Sequence, residues 1–164
     1  MLLFWKKGFH NSSIHDLVQA LGINRGSLYS SFGGKRKLFN QALELYLSSS
    51  SKGMDFLIVE QQEVKAALRK VFENIINDDC NDEDRKGCFA VNTATEMLPA
   101  DSQILEVLAL NKLNMEAHFL KFLEKGVLAG QISNDKDIKT ISTLLYTLMS
   151  GLRVNGKITS NPAQ

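Results

Sequence analysis

The sequence predicts an all-α fold, and two observations carry this prediction. Apolar side chains recur at helical spacing along most of the 164 residues, and no segment shows the alternation of period two that is typical of a strand. With 44% apolar residues the chain can bury a core, yet no run approaches the roughly twenty apolar residues that a membrane span needs. We therefore expect a folded helical protein in the cytoplasm, without contact with a membrane.

The N-terminal part of the chain predicts two short helices joined by a tight turn. An apolar stripe at i, i+3, i+4 and i+7 indicates a helix that Ser12 or Ser13 can cap and that Gly22 ends. The members of this stripe are Ile14, Leu17, Val18 and Leu21. Asn24 can cap a second helix over 25–32. Together these elements form a helix-turn-helix.

The second helix has an outer face of small and hydroxyl-bearing residues, since only Leu28 and Phe32 face the first helix. Small side chains allow a backbone to approach the major groove of DNA, while Ser, Tyr and Arg donate hydrogen bonds to phosphates and base edges. We therefore predict that double-stranded DNA is contacted by Arg25, Gly26, Ser27, Tyr29 and Ser30, with Ser13 and Lys35 at the phosphates. In the alternative, Tyr29 belongs partly to the core and Lys35 is merely solvated.

A longer pattern in the same region resembles a known family. The pattern consists of Ile14, Asp16, Leu17, Val18, Gly22, Ile23, Gly26, Leu28, Tyr29, Phe32, Lys35 and Leu38. It resembles the DNA-binding signature of the tetracycline-repressor (TetR/AcrR) family of bacterial transcriptional regulators. Residues 87–98 resemble the helix that opens the ligand-binding core in one branch of that family. The resemblance implies a ligand-responsive regulator, commonly a repressor. From the apolar residues of the core helices we expect its effector to be a small apolar or aromatic molecule.

The resemblance also implies two domains. Residues 1–47 would form the helix-turn-helix DNA-binding domain with a truncated first helix and a connecting helix, and 48–164 the helical effector-binding and dimerisation domain. The formal charge is +5 through Lys52 and −4 in the remainder, as expected for a phosphate-binding head, although a chance distribution over a solvated surface is the alternative. Because family members carry a complete first helix and a further helix after Asn155, we expect this chain to be truncated at both ends.

Five helices are predicted after the helix-turn-helix. Their approximate bounds are 35–47, 64–76, 87–98, 102–124 and 135–154. A serine run with Gly53 follows the first of them, Pro99 ends the third, and Gly126 and Gly130 end the fourth. In each case the apolar residues keep a spacing of three or four.

The core helices carry candidates for an effector pocket. Large apolar groups with a few polar ones are what a small-molecule site requires, and the candidates are Phe72, Phe89, Asn92, Thr93, Met97, His118, Phe119 and Phe122. An ordinary core has the same composition, so that alternative stays open. Asn92, Thr93 and His118 are the informative members, because buried polar groups need partners.

The last predicted helix carries a seam of apolar residues that alternates spacings of three and four. Such a seam often packs on another helix at a shallow angle. The candidate residues for a homodimer interface are Ile141, Leu145, Leu148 and Leu152. The resemblance favours this interface, and two heads related by a two-fold axis would recognise a palindromic operator. In the alternative, the extra apolar face packs within the same subunit.

No enzyme site, cofactor or metal is expected. The two cysteines and three histidines lack the spacing of a metal site, and no nucleophile stands in a pattern with a base. Cys88 lies in an apolar helix and is expected to be buried, whereas Cys80 lies in a polar run and is expected to be exposed. The alternatives to a ligand-responsive regulator are a helical protein-interaction module and a thiol-responsive regulator that uses Cys80 or Cys88.

Overall fold

The structure is a computed structural model that describes residues 1–60 and 63–158, and of 55–60 only the backbone. This part of the chain contains eight helices and no strand, which confirms the all-α prediction. The helices are α1 (Leu2–Lys7), α2 (Ile14–Leu21), α3 (Arg25–Phe32), α4 (Lys35–Glu60), α5 (Val64–Asn81), α6 (Phe89–Met97), α7 (Ser102–Leu128) and α8 (Ile138–Asn155).

Side-chain caps define the helix-turn-helix. Ser13 caps α2 by accepting a hydrogen bond from the Asp16 amide, while the Asp16 carboxylate accepts one from the Ser13 amide. The Asn24 side chain accepts from the Ser27 amide at 2.8 Å and begins α3. Gly22 ends α2 in the left-handed conformation, at φ +65°, which only glycine adopts without strain. The bounds of α2 and α3 therefore agree with those predicted.

Helix α4 continues 13 residues beyond the predicted end at residue 47 and reaches Glu60. The serine run does not interrupt it, and the hydroxyls of Ser48 and Ser49 donate to the Leu45 carbonyl oxygen at 3.0 and 2.8 Å within the helix. Gly53 also lies inside the helix, where nothing stands within 4 Å of an added Cβ. One continuous helix thus crosses the predicted boundary at 47/48.

Helix α7 likewise continues through Gly126 to Leu128. Gly126 is buried, and a Cβ there would lie 2.6 Å from Cγ2 of Val64 at the start of α5. Its role is therefore close packing between α5 and α7 rather than helix termination. Helix α5 also exceeds its predicted end and runs to Asn81.

Three apolar clusters form the interior. The first joins the helix-turn-helix to α4, α6 and the start of α7, and its buried members include Phe4, Leu28, Phe39, Phe89 and Ile104. The second and third lie among α4, α5, α7 and α8, where Met115, Phe119 and Phe122 are buried. The core of the helix-turn-helix is therefore continuous with that of α6.

Within the described residues, no helix is both long enough and apolar enough to cross a membrane. The same part of the chain contains no group of three His, Cys, Asp or Glu side chains that could hold a metal ion.

Candidate functional site

The outer face of α3 is exposed and only lightly packed. Arg25, Gly26 and Ser30 are exposed, Ser27 is half-buried, and Tyr29 keeps 47% of its surface in solvent. The Arg25 guanidinium lies 5.8 Å from the centre of the Tyr29 ring. The ring also lies close to Gly34, where an added Cβ would lie 3.1 Å from Cε1 of Tyr29. Tyr29 thus contacts Arg25 and Gly34 while nearly half of its surface stays exposed.

Ser13 and Lys35 stand at the starts of α2 and α4. The Ser13 hydroxyl is engaged by Asp16, whose Oδ2 accepts it at 2.8 Å. Hydrogen bonds from Ser13 and then from Lys7 hold the pKa of the Asp16 carboxyl well below its usual range. The Lys35 ammonium lies 4.5 Å from the centre of the Phe9 ring and 3.5 Å from the His10 carbonyl oxygen. Lys35 is therefore held against the turn between α1 and α2 and is not merely solvated.

A cavity of about 820 Å³ lies among α4, α5, α6, α7 and α8. Its apolar walls are formed by Leu47, Met54, Val71, Ile75, Ala90, Val91, Ala94, Leu108, Met115 and Met149, with Tyr46 and Tyr146. Polar groups line it as well, namely Ser50, Lys70, Asn74, Asp78, Thr95, Asn111, Ser150 and Arg153. A large apolar space with a few polar groups is what a small-molecule site requires.

None of the eight residues predicted for the effector pocket lines this cavity. Phe89 and Met97 belong to the first cluster, Phe119 to the second and Phe122 to the third; Phe72 is half-buried on α5. The structure therefore does not bring the eight residues together around one space. Most of the eight residues instead pack into the apolar clusters or hold a loop, whereas the cavity is enclosed by a different set of side chains from five helices.

Two of the three polar members of the predicted pocket, Asn92 and His118, have structural partners elsewhere. The Asn92 amide donates to the Lys86 carbonyl oxygen at 2.7 Å, and its oxygen accepts from Lys157 at 2.9 Å, so it holds the loop between α5 and α6. His118 Nε2 lies 2.9 Å from the Ser51 hydroxyl and joins α7 to α4. Thr93 is buried on the face of α6 that turns away from the cavity, and its hydroxyl has no hydrogen-bond partner among the described residues.

A second cavity of about 480 Å³ adjoins the first and shares Tyr46, Ser50, Asp78 and Arg153 with it. The Arg153 guanidinium lies 2.6 Å from the buried carboxylate of Asp79. Burial raises the pKa of Asp79, and the hydrogen bond from Arg153 opposes that shift. The ion pair between Arg153 and Asp79 therefore lies at the C-terminal ends of α8 and α5, beside the large cavity.

Both cysteines are free and half-buried, so Cys80 is less exposed than predicted and Cys88 less buried. Cys88 lines the large cavity, and its Sγ accepts a hydrogen bond from the Tyr46 hydroxyl at 3.3 Å. Burial raises the pKa of Tyr46, which therefore stays a donor. The sequence placed Cys88 inside a helix, whereas in the structure it is the N-cap residue that directly precedes α6 and stands at the cavity wall.

The predicted dimer residues divide into two groups. Ile141, Leu145 and Leu152 pack on the second and third clusters of their own subunit and are only partly buried, so their assignment to an interface stays a prediction. Leu148 is half-exposed, at 50%, and Leu144 lies exposed on the same helix. On α7, Leu110 and Leu113 are exposed as well. The unpartnered apolar surface thus belongs to α7 and α8 together.

Two family models match the chain. The model of the bacterial regulatory proteins of the tetR family matches residues 1–42, and the model of the tetracyclin repressor-like C-terminal domain matches residues 64–164. The chain is 29% identical over 163 residues to the uncharacterized HTH-type transcriptional regulator YezE of Bacillus subtilis, covering 97% of this chain and 82% of YezE. It is 28% identical over 158 residues to the HTH-type transcriptional repressor ComR of Escherichia coli, covering 96% of this chain and 75% of ComR.

Solved structures share the fold. A cysteine mutant of the TetR-family transcriptional regulator CifR, complexed with double-strand operator DNA, superposes with a TM-score of 0.86 at 24% identity, covering 98% of this chain and 84% of the other. The reduced form of NemR from Escherichia coli superposes with a TM-score of 0.87 at 17% identity, covering 98% and 85%. At these identities the likeness concerns the fold.

Proposed function

The chain belongs to the tetR family of bacterial regulatory proteins, and on this premise we propose that it is a repressor released from its operator by a small apolar or aromatic effector. The family assignment confirms the resemblance predicted from the helix-turn-helix and the class of a DNA-binding transcriptional regulator rather than an enzyme. It leaves the helical interaction module without support. As a regulator of bacterial DNA, the protein acts in the cytoplasm.

The observation that carries this proposal is the outer face of α3. Arg25, Gly26, Tyr29 and Ser30 present donors and little bulk to solvent, and none of the four belongs to an apolar cluster of the described residues. A recognition helix of this kind enters the major groove, while phosphate contacts come from flanking helix starts. Ser13 and Lys35 stand at those starts. CifR, which has this fold, is complexed with operator DNA.

The regulator acts as a homodimer through the exposed apolar faces of α7 and α8. One helix-turn-helix touches too few base pairs to find a single site in a genome. A symmetric interface needs an apolar surface that is self-complementary, and Leu110, Leu113, Leu144 and Leu148 supply apolar surface that their own subunit leaves exposed. The operator is then a palindrome whose half-sites lie about 34 Å apart or somewhat more.

The effector occupies the cavity of about 820 Å³ rather than the residues first predicted. Met54, Met115 and Met149 line it beside two tyrosines, and methionine adapts to apolar and aromatic ligands of different shapes. Binding favours a conformation whose two heads no longer fit the operator. Residues 1–47 bind DNA and residues 48–164 bind the effector and dimerise. Helix α4 joins the two parts, and its Tyr46 and Leu47 also line the cavity.

A thiol-responsive regulator is the second candidate, and the position of Cys88 favours it over Cys80. Cys88 lies at the wall of the cavity, so an apolar electrophile that enters the cavity meets its sulfur. Two solved structures of the same fold are a cysteine mutant of the regulator CifR and the reduced form of the regulator NemR.

Selection of duplexes from a random DNA pool tests the proposed function. The protein should enrich a palindromic sequence, and its affinity for that duplex should fall steeply with salt, because phosphate contacts release counterions. Arg25→Ala should reduce the preference for the selected sequence, whereas the exposed Lys65→Ala on α5 should not. Failure to enrich any sequence at low salt would refute DNA recognition by this chain.

A further inference from the structure

Helix α6 has two faces with different neighbours. One face, formed by Ala90, Val91, Ala94 and Thr95, lines the large cavity. The other face packs on the DNA-binding head, where the Phe89 ring lies 5.6 Å from Phe39 of α4 and 6.3 Å from Trp5 of α1. A ligand in the cavity therefore contacts a helix whose opposite side already belongs to the core of the head.

Glu96 extends this contact to the turn that precedes the helix-turn-helix. Its Oε2 accepts a hydrogen bond from the Phe9 amide at 2.9 Å, and its Oε1 accepts one from the His10 amide at 2.7 Å. Both carboxylate oxygens are thus used by two successive amides of the turn between α1 and α2. Hydrogen bonds to an ionised carboxylate are roughly twice as strong as neutral ones.

Gly8 makes this approach possible. A Cβ at residue 8 would lie 2.6 Å from Oε2 of Glu96, and the glycine has φ +80° and ψ 175°, a conformation that belongs almost only to glycine. The backbone of the turn therefore comes close enough for both amides to reach the carboxylate. The turn and the C-terminal half of α6 are held in one relative position.

We propose that Glu96 is a positioning residue that transmits the occupancy of the cavity to the helix-turn-helix. Ala94 and Thr95 at the cavity wall directly precede it in the same helix. A ligand that displaces these residues also displaces the carboxylate, and the turn that begins α2 follows. This proposal rests on the proposed function and names the contact through which the effector acts.

A double-mutant cycle with a cavity-filling side chain tests the proposal without a known effector. Ala94→Phe places a ring in the cavity, and Ala66→Phe on the exposed side of α5 is the matched control. With the duplex selected by the wild-type protein, Ala94→Phe should weaken DNA binding at least about tenfold, within the usual range of coupling between two sites. In a Glu96→Ala background the same substitution should weaken binding less than about threefold, as expected when the coupling is lost.

The loss of DNA affinity caused by Ala94→Phe, compared between the wild-type and the Glu96→Ala backgrounds, separates coupling from a purely structural role. If Glu96 only stabilises the turn, Glu96→Ala lowers affinity by the same factor with and without the ring, and the proposal is wrong. Glu96→Gln, which keeps one acceptor, should give an intermediate ratio and provides the test if Glu96→Ala does not fold. An Ala94→Phe protein that binds DNA as tightly as the wild type also overturns the proposal.

Hydrogen exchange of the Phe9 and His10 amides gives a readout that needs no DNA. Ala94→Phe should speed exchange at these two amides, because the carboxylate that protects them has moved, and Ala66→Phe should not. Unchanged exchange contradicts the proposal. If the wild-type protein enriches no duplex but Ala94→Phe still speeds exchange at the two amides, the cavity and the turn are coupled although DNA recognition is absent. Failure of the proposed function is thereby distinguished from failure of this inference.

Discussion

Arg153 of α8 donates a hydrogen bond to Asp79 of α5, with 2.6 Å between Nη1 and Oδ1. The Asp79 side chain is only 7% exposed, and a Cβ on Gly156 would lie 2.7 Å from its Oδ2. A carboxylate in such a place is stable as an anion only beside a cation. The pair therefore joins the C-terminal ends of two helices beside the cavities.

Arg153→Met should lower the free energy of unfolding by about 3 kcal/mol, because it leaves a buried carboxylate without its cation. Burial already raises the pKa of Asp79, so the folded state keeps the proton to a higher pH than the unfolded state, and stability falls as pH rises through the folded pKa. Loss of Arg153 increases this effect. Urea unfolding should therefore show a larger destabilisation at pH 7 than at pH 5.

Lys136→Met is the control for that experiment. Lys136 pairs with Asp135 at 3.5 Å in an exposed position, and such pairs contribute at most about 1 kcal/mol. Equal destabilisation by both substitutions would show that the Asp79 pair is no stronger than a surface pair.

Gly8→Ala should destabilise the protein by about 1–3 kcal/mol, the cost of a glycine-only backbone conformation, and should also displace the Glu96 carboxylate. Gly22→Ala is the matched control, because Gly22 has φ +65° but nothing within 4 Å of an added Cβ. Its cost should be the smaller of the two in thermal unfolding. Equal destabilisation by both substitutions would mean that the contact with Glu96 adds nothing to the cost of the backbone conformation.

Leu148→Asp should shift the protein from dimer to monomer with little loss of monomer stability, since Leu148 is half-exposed on α8. Leu145→Asp should instead unfold the subunit, because Leu145 packs on the second and third clusters and would bury an unpaired charge. Light scattering together with circular dichroism distinguishes the two results. A dimeric Leu148→Asp protein would contradict an interface at this face.

Lys35→Ala should weaken binding to all duplexes alike and flatten the salt dependence by about one unit per subunit, as expected for one phosphate contact. The Lys35 ammonium, which lies beside Phe9, attracts a phosphate by its positive charge. The free backbone amides at the start of α4 can donate hydrogen bonds to the same phosphate. Fluorescence anisotropy at several salt concentrations measures the slope. The exposed Lys65→Ala variant should keep the wild-type slope, and an unchanged slope in Lys35→Ala would exclude the contact.

Cys88→Ser should decide the second candidate function. If a thiol response exists, N-ethylmaleimide should release the wild-type protein and the Cys80→Ser variant from the selected duplex, whereas Cys88→Ser should stay bound, because only Cys88 lines the cavity. Release of Cys88→Ser at the wild-type rate would refute a response through this sulfur.

The local chemistry of the helix-turn-helix was predictable from the sequence. The caps at Ser13 and Asn24, the stop at Gly22 and the inward Leu28 depend on neighbours within one or two turns. Helix ends were predicted less well where glycine or serine lies inside a long helix. Gly53 and Gly126 do not end α4 and α7, because packing stabilises those helices more than a glycine weakens them.

The cavity and the coupling contact could not be predicted in the same way. Ala94 and Thr95 carry no sequence signal for a ligand, since the cavity is enclosed by side chains of five helices that are far apart along the chain. Glu96 meets Phe9 and His10 across 86 or 87 positions of the chain, and no local pattern specifies such a pair.

The sequence by itself determined the all-α class, the helix-turn-helix and the family. Helical periodicity, helix caps and the surface of α3 depend on residues that are close along the chain, so they can be recognised without the tertiary structure. Only the tertiary structure decided which apolar faces fill the core and which remain free. Phe89, Leu145 and Leu152 pack inward while Leu148 stays outside, because a helix with apolar residues on several sides has no preferred neighbour until the other helices are in place.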